Sequence, residues 1–298
     1  MDRTTRRVVI DAPSNLGLRP PMPGTVPGCY KLPWALRDRG LLARIEAVDG
    51  GAVVPPRYDR GGWEPGDGVF NAAGIAAYSR ALAGRLGPRL DAGEFPVMLG
   101  GDCSILLGTV LALRRAGRYG VAYLDGHSDL RHTGNSDHVG AAGGEGLALI
   151  TGRGQADLTD LDGLRPYVRD DDVAVLGIRD DDEYQAELAE LDIAYRTVSG
   201  VRKDGPATTA TEALRVLERP GLDGFWLHLD ADILDPSIMP AVDSPDPGGL
   251  DVDEVRTLLT ALLASPHYAG FEVAIFDPDL DPDGTHADLL TDLLAASF

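Results

Sequence analysis

The chain has 298 residues, of which 44% are apolar, and its 47 acidic and 27 basic side chains give a formal net charge of -20. An acidic surface repels nucleic-acid phosphates and anionic lipids, so we expect neither nucleic acid nor membrane as a partner. It suits metal ions or a cationic small molecule, although acidity also simply keeps proteins soluble. Cys29 and Cys103 predict no disulfide framework and a reducing cytoplasm. The N-terminal residues lack the long apolar run of a signal peptide or membrane helix.

Eight short apolar stretches alternate with helical patterns along the chain. The predicted strands cover 7–10, 43–48, 95–99, 119–124, 173–178, 193–198, 225–229 and 270–275. The predicted helices cover 34–42, 70–90, 105–116, 144–151, 182–191, 208–217, 252–263 and 287–296. Gly87 and Pro88 are expected to end the second helix, and the Pro/Gly-rich segments 13–33 and 55–68 to form surface loops. This alternation predicts a single α/β domain, 1–298, whose parallel sheet binds ligands at the carboxyl ends of its strands.

Two acidic residues, Asp230 and Asp232, directly follow the predicted strand 225–229. Side chains at i and i+2 of an extended chain share a face, so both carboxylates would point the same way. Two like charges at the end of a buried strand need a compensating cation, and a divalent metal ion fits. In the alternative interpretation, Asp230 caps a helix and Asp232 faces water.

A second acidic cluster, formed by Asp125, His127 and Asp129, follows the predicted strand 119–124. On an extended backbone these three side chains would also share a face. Together with the two downstream carboxylates they carry too much negative charge for one ion, which predicts two divalent ions bridged by shared carboxylates. Oxygen ligands with some imidazole suit Mn²⁺ best, with Fe, Co or Zn as alternatives. Such a pair lowers the pKa of a bridging water, so the clusters indicate metal-assisted hydrolysis.

Three motifs resemble those of the ureohydrolases, the arginase and agmatinase family. GGDCS at 100–104 resembles the family's GGDHS, DGHSD at 125–129 its DAHxD, and HLDADILDPSIMPAVDSPDPGGL at 228–250 its SxDxDxxDPxxxPGTGTPxxGGL. The resemblance implies a three-layer α/β/α sandwich around a parallel sheet, as in arginases and deacetylases. It also implies a dimanganese centre whose bridging hydroxide attacks a guanidino or amidino substrate and releases urea, in a protein that forms trimers or hexamers.

The resemblance also assigns metal ligands. Carried over residue by residue, it implies five of them, with Asp129 also bonding the hydroxide: Asp125, His127, Asp129, Asp230 and Asp232. Cys103 stands where the family has a metal-binding histidine. As a thiolate ligand it would shift the metal preference towards Zn²⁺ or Fe²⁺. The alternative is that Cys103 is only a small buried residue.

A second departure concerns the glutamate that receives the substrate guanidinium near the end of the family's last core strand. Ile275 occupies that position here. Glu272 lies three residues earlier, and strand alternation turns it to the other face unless a bulge shifts the register. Glu272 and Asp277 are the two predicted replacements for substrate binding.

The loop 130–149 departs from the family's substrate-binding and proton-shuttle segment. Gly143 and Gly144 match the position of the shuttle histidine. His138 is therefore the predicted general acid and Asn135 a predicted substrate ligand, although loop residues of these types are often only exposed or turn-forming.

The leading hypothesis is a cytoplasmic dinuclear metal hydrolase that cleaves a linear C–N bond of a guanidino or amidino compound. One alternative is a non-catalytic relative that retains the fold and metal binding, because Cys103 and Ile275 depart from the motifs. A second is a zinc amide hydrolase of the deacetylase kind, which needs fewer carboxylates than the chain provides.

Overall fold

The structure, a computed structural model, describes residues 6–298, whose strands form one parallel sheet. The eight strands are Arg7–Asp11 (β1), Val48–Ala52 (β2), Phe95–Leu99 (β3), Tyr119–Leu124 (β4), Val173–Ile178 (β5), Ala194–Thr197 (β6), Gly224–Asp230 (β7) and Tyr268–Ala274 (β8). Their order across the sheet is β2-β1-β3-β8-β7-β4-β5-β6. Every neighbouring pair is parallel, so all carboxyl ends lie along one edge.

Helices connect the strands. They are Leu32–Asp38 (α1), Leu41–Arg44 (α2), Ala72–Asp91 (α3), Ile105–Ala116 (α4), Gly146–Ile150 (α5), Ala156–Thr159 (α6), Gln185–Glu190 (α7), Val198–Asp204 (α8), Pro206–Leu217 (α9), Val252–Leu263 (α10) and Thr285–Ser297 (α11). Short 3-10 turns occur at Gly28–Lys31, Ala142–Glu145, Leu161–Gly163, Asp170–Asp172, Ala231–Ile233 and Pro278–Leu280. None of the helices within 6–298 is both long and apolar enough to cross a membrane.

The helices cover both faces of the sheet. Alternate residues of β4 point to opposite sides, so Ala122 and Leu124 join one apolar cluster while Val121 and Tyr123 join the other. The first cluster packs against α1, α2 and α8 to α11, and the second against α3 to α7. This arrangement confirms the predicted three-layer α/β/α sandwich with a parallel sheet.

The second predicted strand, 43–48, is wrong. Leu41 and Ile45 are both buried and four residues apart, which is a helical spacing, and the chain there forms α2 instead. The strand begins only at Val48. Its Gly50 lies so close to β1 that a Cβ would be 2.7 Å from the Val9 carbonyl oxygen. Because the close approach requires glycine here, the strand lacks the apolar pattern from which strands are predicted.

Pro88 does not end the second long helix as predicted, because α3 continues to Asp91. A proline within a helix removes the hydrogen bond to the carbonyl four residues earlier. That carbonyl belongs to Gly84, an exposed residue that water can reach. Losing this hydrogen bond near the end of α3 therefore costs little free energy.

The segment 13–33 is only partly the exposed loop that its composition predicted. Residues 11–18 are buried against the turn that follows β3, and residues 21–26 are exposed. The close approach requires glycine, since a Cβ on Gly101 would lie 1.7 Å from the Ser14 carbonyl oxygen. The buried part thus belongs to the site-bearing edge of the sheet.

An ion cluster around the buried Asp172 fixes the start of β5, and we expect it to contribute to stability. Asp172 accepts hydrogen bonds from Arg118 at 2.8 and 3.0 Å and from Arg219, and its side chain is 1% exposed. Asp172→Ala leaves two guanidinium groups without their main partner, so the free energy of unfolding should fall by about 2–4 kcal/mol. Urea denaturation measures this change.

Asp171 provides the matched control, because its carboxylate pairs with the same arginines but is 56% exposed. Asp171→Ala should cost no more than about 1 kcal/mol. Equal losses in the two variants would contradict the importance of burial.

Candidate metal centre

The predicted ligand clusters meet at the centre of the sheet's carboxyl edge. The turn 100–104 follows β3, the segment 125–129 follows β4, and Asp230 ends β7. β3, β8, β7 and β4 are consecutive in the sheet. Cys103 and Asp230, which are 127 residues apart in sequence, therefore come together, at the edge where open α/β sheets bind ligands.

The GGDCS turn is anchored by its aspartate, which leaves its cysteine for the site. Asp102 accepts hydrogen bonds from the Ser14 hydroxyl at 2.7 Å and the Ser104 amide at 2.9 Å. Cys103 is buried, and its Sγ lies 2.8 Å from Oδ2 of Asp230. Burial, followed by the neighbouring carboxylates, raises the pKa of the Cys103 thiol well above its ordinary value. The thiol proton, between Sγ and the Asp230 carboxylate, therefore occupies a position that a bound cation could take.

Four buried residues form the deeper group of potential ligands: Cys103, Asp125, His228 and Asp230. One ligand atom from each lies within 4.8 Å of the others. Oδ2 of Asp125 and Nε2 of His228 are buried and have no hydrogen-bond partner in the described chain. Burial and mutual repulsion raise the pKa values of Asp125 and Asp230 well above normal. Unpartnered ligand atoms among repelling carboxylates fit a bound divalent cation.

A second group, nearer the surface, shares Asp125 with the first. Asp125, His127 and Asp232 bring ligand atoms within 4.8 Å of one another. His127 places Nδ1 3.0 Å from Asp232 and Nε2 3.0 Å from Asp246. Burial lowers the pKa of His127, but these carboxylates outweigh it and raise the pKa to about 10. Two adjacent groups with a common carboxylate fit two metal ions.

The acidic side chains converge through turns and not through extended backbone as predicted. β4 ends at Leu124, and Asp129 has a φ of 48°. Its carboxylate accepts a 2.6 Å hydrogen bond from the hydroxyl of Tyr123, and burial raises the pKa of Asp129 to about 6. Asp230 caps the turn Ala231–Ile233 by accepting from the Asp232 amide. The capping interpretation and the ligand interpretation of Asp230 are therefore compatible.

A cavity of about 650 Å³ opens above the two ligand groups. Its acidic lining residues are Asp129, Asp181, Asp182, Glu183, Asp230, Asp232, Asp243 and Asp246, and its arginines are Arg19, Arg131 and Arg179. A Cβ on Gly144 would lie 1.9 Å from Nη2 of Arg131, so this guanidinium fills the space of a side chain at the predicted shuttle position. The acidic lining suits a substrate with a cationic head.

Asn135 and His138 lie outside this cavity. They line a neighbouring depression together with Tyr184 and Glu187. The Asn135 side chain donates to the Leu130 carbonyl and to Glu187, so it holds its own loop together. His138 is exposed. The structure therefore does not bring either residue to the ligand groups.

Glu272 and Asp277 also lie away from the cavity. Glu272 is completely buried in β8, where it accepts from Thr109 and pairs with His228. Asp277 accepts from the amides of Gly28 and Asp279 and shapes the turn after β8. Strand alternation thus turned Glu272 inward, and neither carboxylate faces the substrate space.

Ile275 lines the cavity in the position where the family motif has glutamate. Its φ is 76°, and the Phe276 amide donates to the Ala274 carbonyl at 3.0 Å, which makes a γ-turn around a β-branched residue. This conformation is rare and strained for such a side chain. The wall next to the ligand groups is therefore apolar and conformationally costly.

Three residues in or beside the site were not predicted from the sequence. His228 could have been recognised, since it precedes Asp230 and Asp232 at the same two-residue spacing. Asp243 stands at the second glycine of the PGTGTP segment in the family motif. Arg179 is buried and donates to the carbonyls of Asp232 and Asp246, so it joins two loops of the site. Only the fold reveals the role of Arg179.

Known proteins resemble this chain in sequence and in fold. A family model described as "Arginase family" matches residues 31–298. The arginase of Brevibacillus brevis is 33% identical over 276 residues, covering 89% of this chain and 90% of that protein. The structure of the Bacillus caldovelox arginase has a TM-score of 0.88 at 27% identity and 99% and 98% coverage. Formimidoylglutamase from Bacillus subtilis shares the fold, with a TM-score of 0.76 at 20% identity and 98% and 86% coverage. The chain therefore belongs to the arginase family.

Proposed function

We propose that the protein is a metal-dependent amidinohydrolase that cleaves a linear C–N bond of a small guanidino or amidino compound. The observation that carries this proposal is the pair of ligand groups sharing Asp125 at the base of an acidic cavity. Family membership supports the reaction class. The substrate is the part that the proposal must define.

Six residues are proposed to hold two divalent ions: Cys103, Asp125, His127, Asp129, Asp230 and Asp232. Ions bound there would supply a water molecule whose pKa is lowered enough for it to act as the nucleophile. Oxygen and imidazole donors favour Mn²⁺, and the sulfur of Cys103 favours Zn²⁺ or Fe²⁺. Asp129, held by the Tyr123 hydroxyl, is the proposed catalytic residue that would accept a hydrogen bond from this nucleophile.

Asp243 is the proposed carboxylate partner of the substrate cation, in place of the family glutamate at Ile275. Both residues line the cavity. Desolvation and the negative charges of Asp232, Asp102 and Asp277 raise the pKa of Asp243 to about 6. A substrate cation bound beside Asp243 would reduce this repulsion between carboxylates. Arg19 and Arg131 are proposed to contact an anionic group at the other end of the substrate.

We also propose a domain organisation, a cellular location and an oligomeric state for the protein. We propose one domain over 1–298, because one sheet connects the described residues. Both cysteines are free thiols, which supports a cytoplasmic location. A trimer or hexamer is proposed from the family resemblance, and light scattering after size exclusion measures it.

The proposed function is tested by product release from metal-loaded protein. Mn²⁺ and Zn²⁺ are supplied separately, with arginine, hydroxyarginine, agmatine, guanidinobutyrate, guanidinopropionate and formiminoglutamate as substrates. We expect release of urea, hydroxyurea or formamide from at least one compound. Silence across the panel with two ions bound would favour the non-catalytic alternative.

The role of Asp243 is tested by Asp243→Asn. Loss of a charged hydrogen bond to the substrate should lower kcat/KM by about 10- to 100-fold, mainly through KM. Asp137→Asn is the control, since Asp137 is an exposed acid of the neighbouring depression. Unchanged kinetics in Asp243→Asn would reject this assignment.

Cys103 is tested by Cys103→Ser, which removes sulfur and preserves size. The Co²⁺-loaded protein should show a sulfur-to-metal charge-transfer band that the variant lacks, and the variant's preference should move towards Mn²⁺ by about tenfold. Cys29→Ser is the control, because Cys29 is equally buried but bonds the Ser14 carbonyl. Identical Co²⁺ spectra for wild type and Cys103→Ser would show that sulfur is not a ligand.

A further inference from the structure

His228 is a completely buried imidazole with one nitrogen satisfied and one free. Nδ1 lies 2.7 Å from Oε1 of Glu272, and Nε2 has no hydrogen-bond partner among residues 6–298. A buried polar nitrogen without a partner is destabilising unless something else occupies its lone pair. A structural histidine–carboxylate pair explains Nδ1 but leaves Nε2 unexplained.

The free nitrogen belongs to the deeper ligand group. His228 lies on β7 two residues before Asp230, so both side chains project from the same face of the strand. A ligand atom of His228 lies within 4.8 Å of ligand atoms of Cys103, Asp125 and Asp230. The ring therefore lies among residues that the metal centre already requires.

The neighbours of His228 fix its orientation. Glu272 is the register partner of His228 on β8, and its second oxygen accepts a 2.6 Å hydrogen bond from the Thr109 hydroxyl. Tyr123 stacks on the ring, with centroids 4.7 Å apart and planes inclined by 28°. A carboxylate acceptor keeps the proton on Nδ1 and leaves Nε2 as a lone-pair donor. Metal-bound histidines commonly have this arrangement.

We propose that His228 is a metal ligand through Nε2, and that Glu272 and Thr109 position it. The family motif places an imidazole in the turn after the third strand, where this chain has Cys103. Strand β7, which is separated from β3 by β8, supplies an imidazole to the same ion instead, at a position where the motif has serine. The deeper ion thus receives sulfur, nitrogen and two carboxylates. This inference rests on the proposed metal centre but not on any substrate.

The first test is His228→Asn, whose amide nitrogen can still donate to Glu272 while nothing replaces Nε2. Metal binding is measured by titration calorimetry with Mn²⁺ and with Zn²⁺ in the absence of substrate. We expect one of the two sites to bind at least about 100-fold more weakly, since outer partners alone are worth 10- to 100-fold. Two sites with wild-type affinity in a folded variant would overturn the proposal.

The positioning role is tested by Thr109→Val, which removes only the hydroxyl that holds Glu272. Metal affinity should fall about tenfold. Thr291→Val is the matched control, because Thr291 is equally buried but bonds the Ala287 carbonyl. A purely structural histidine–glutamate pair would lower stability in Thr109→Val without changing metal affinity.

If His228→Asn does not fold, the test uses His127→Asn loaded with Co²⁺, because that variant leaves the buried His228–Glu272 pair intact. A solvent-exchangeable, strongly shifted N–H proton resonance must then arise from another metal-bound histidine. Its presence supports ligation by His228, and its absence overturns it. These readouts need no turnover, so a silent substrate panel leaves the inference standing, and its failure leaves the proposed function standing.

Discussion

The structure depends on the concentration of carboxylates at the centre of the sheet's carboxyl edge. Asp125 and Asp230 are buried beside Cys103, and burial, followed by repulsion from neighbouring carboxylates, raises the pKa values of all three groups. A packed core tolerates such charge only when cations or protons neutralise it. The Cys103 thiol donates a hydrogen bond to Asp230, and nearby carboxylates raise the pKa of His127 to about 10 against the effect of burial, which favours its cationic form. Metal binding and proton release are therefore two aspects of one equilibrium.

The fold places this charge where the surrounding structure can resist its repulsion. β3, β8, β7 and β4 are the four central strands, with apolar clusters on both faces. The segments that carry the ligands are anchored by neutral or cationic groups, such as Ser14 bonding Asp102 and Arg179 bonding the Asp232 carbonyl. Hydrogen bonds from the backbone and from residues behind the ligands thus hold the site and keep the ligand atoms close before a metal binds.

The sequence predicted the parallel sheet apart from its second strand, its layers, and the residues of both ligand groups except His228. It also predicted Asp129 as a ligand, and neither group includes that residue. Motifs at strand ends carry this information because parallel strands bring their carboxyl ends together. The substrate-facing residues were less predictable. Glu272 and Asp277 looked suitable as isolated carboxylates, yet Thr109 and His228 occupy one and backbone amides the other. Which partners a side chain meets depends on tertiary packing that no local pattern encodes.

The γ-turn at Ile275 places a β-branched side chain on a backbone conformation that disfavours it. A positive φ is far easier for glycine or asparagine than for isoleucine. Either substitution would relieve backbone strain, but it would also remove the apolar side chain from the cavity wall. The isoleucine side chain thus keeps this part of the cavity wall apolar at a cost in backbone conformational energy.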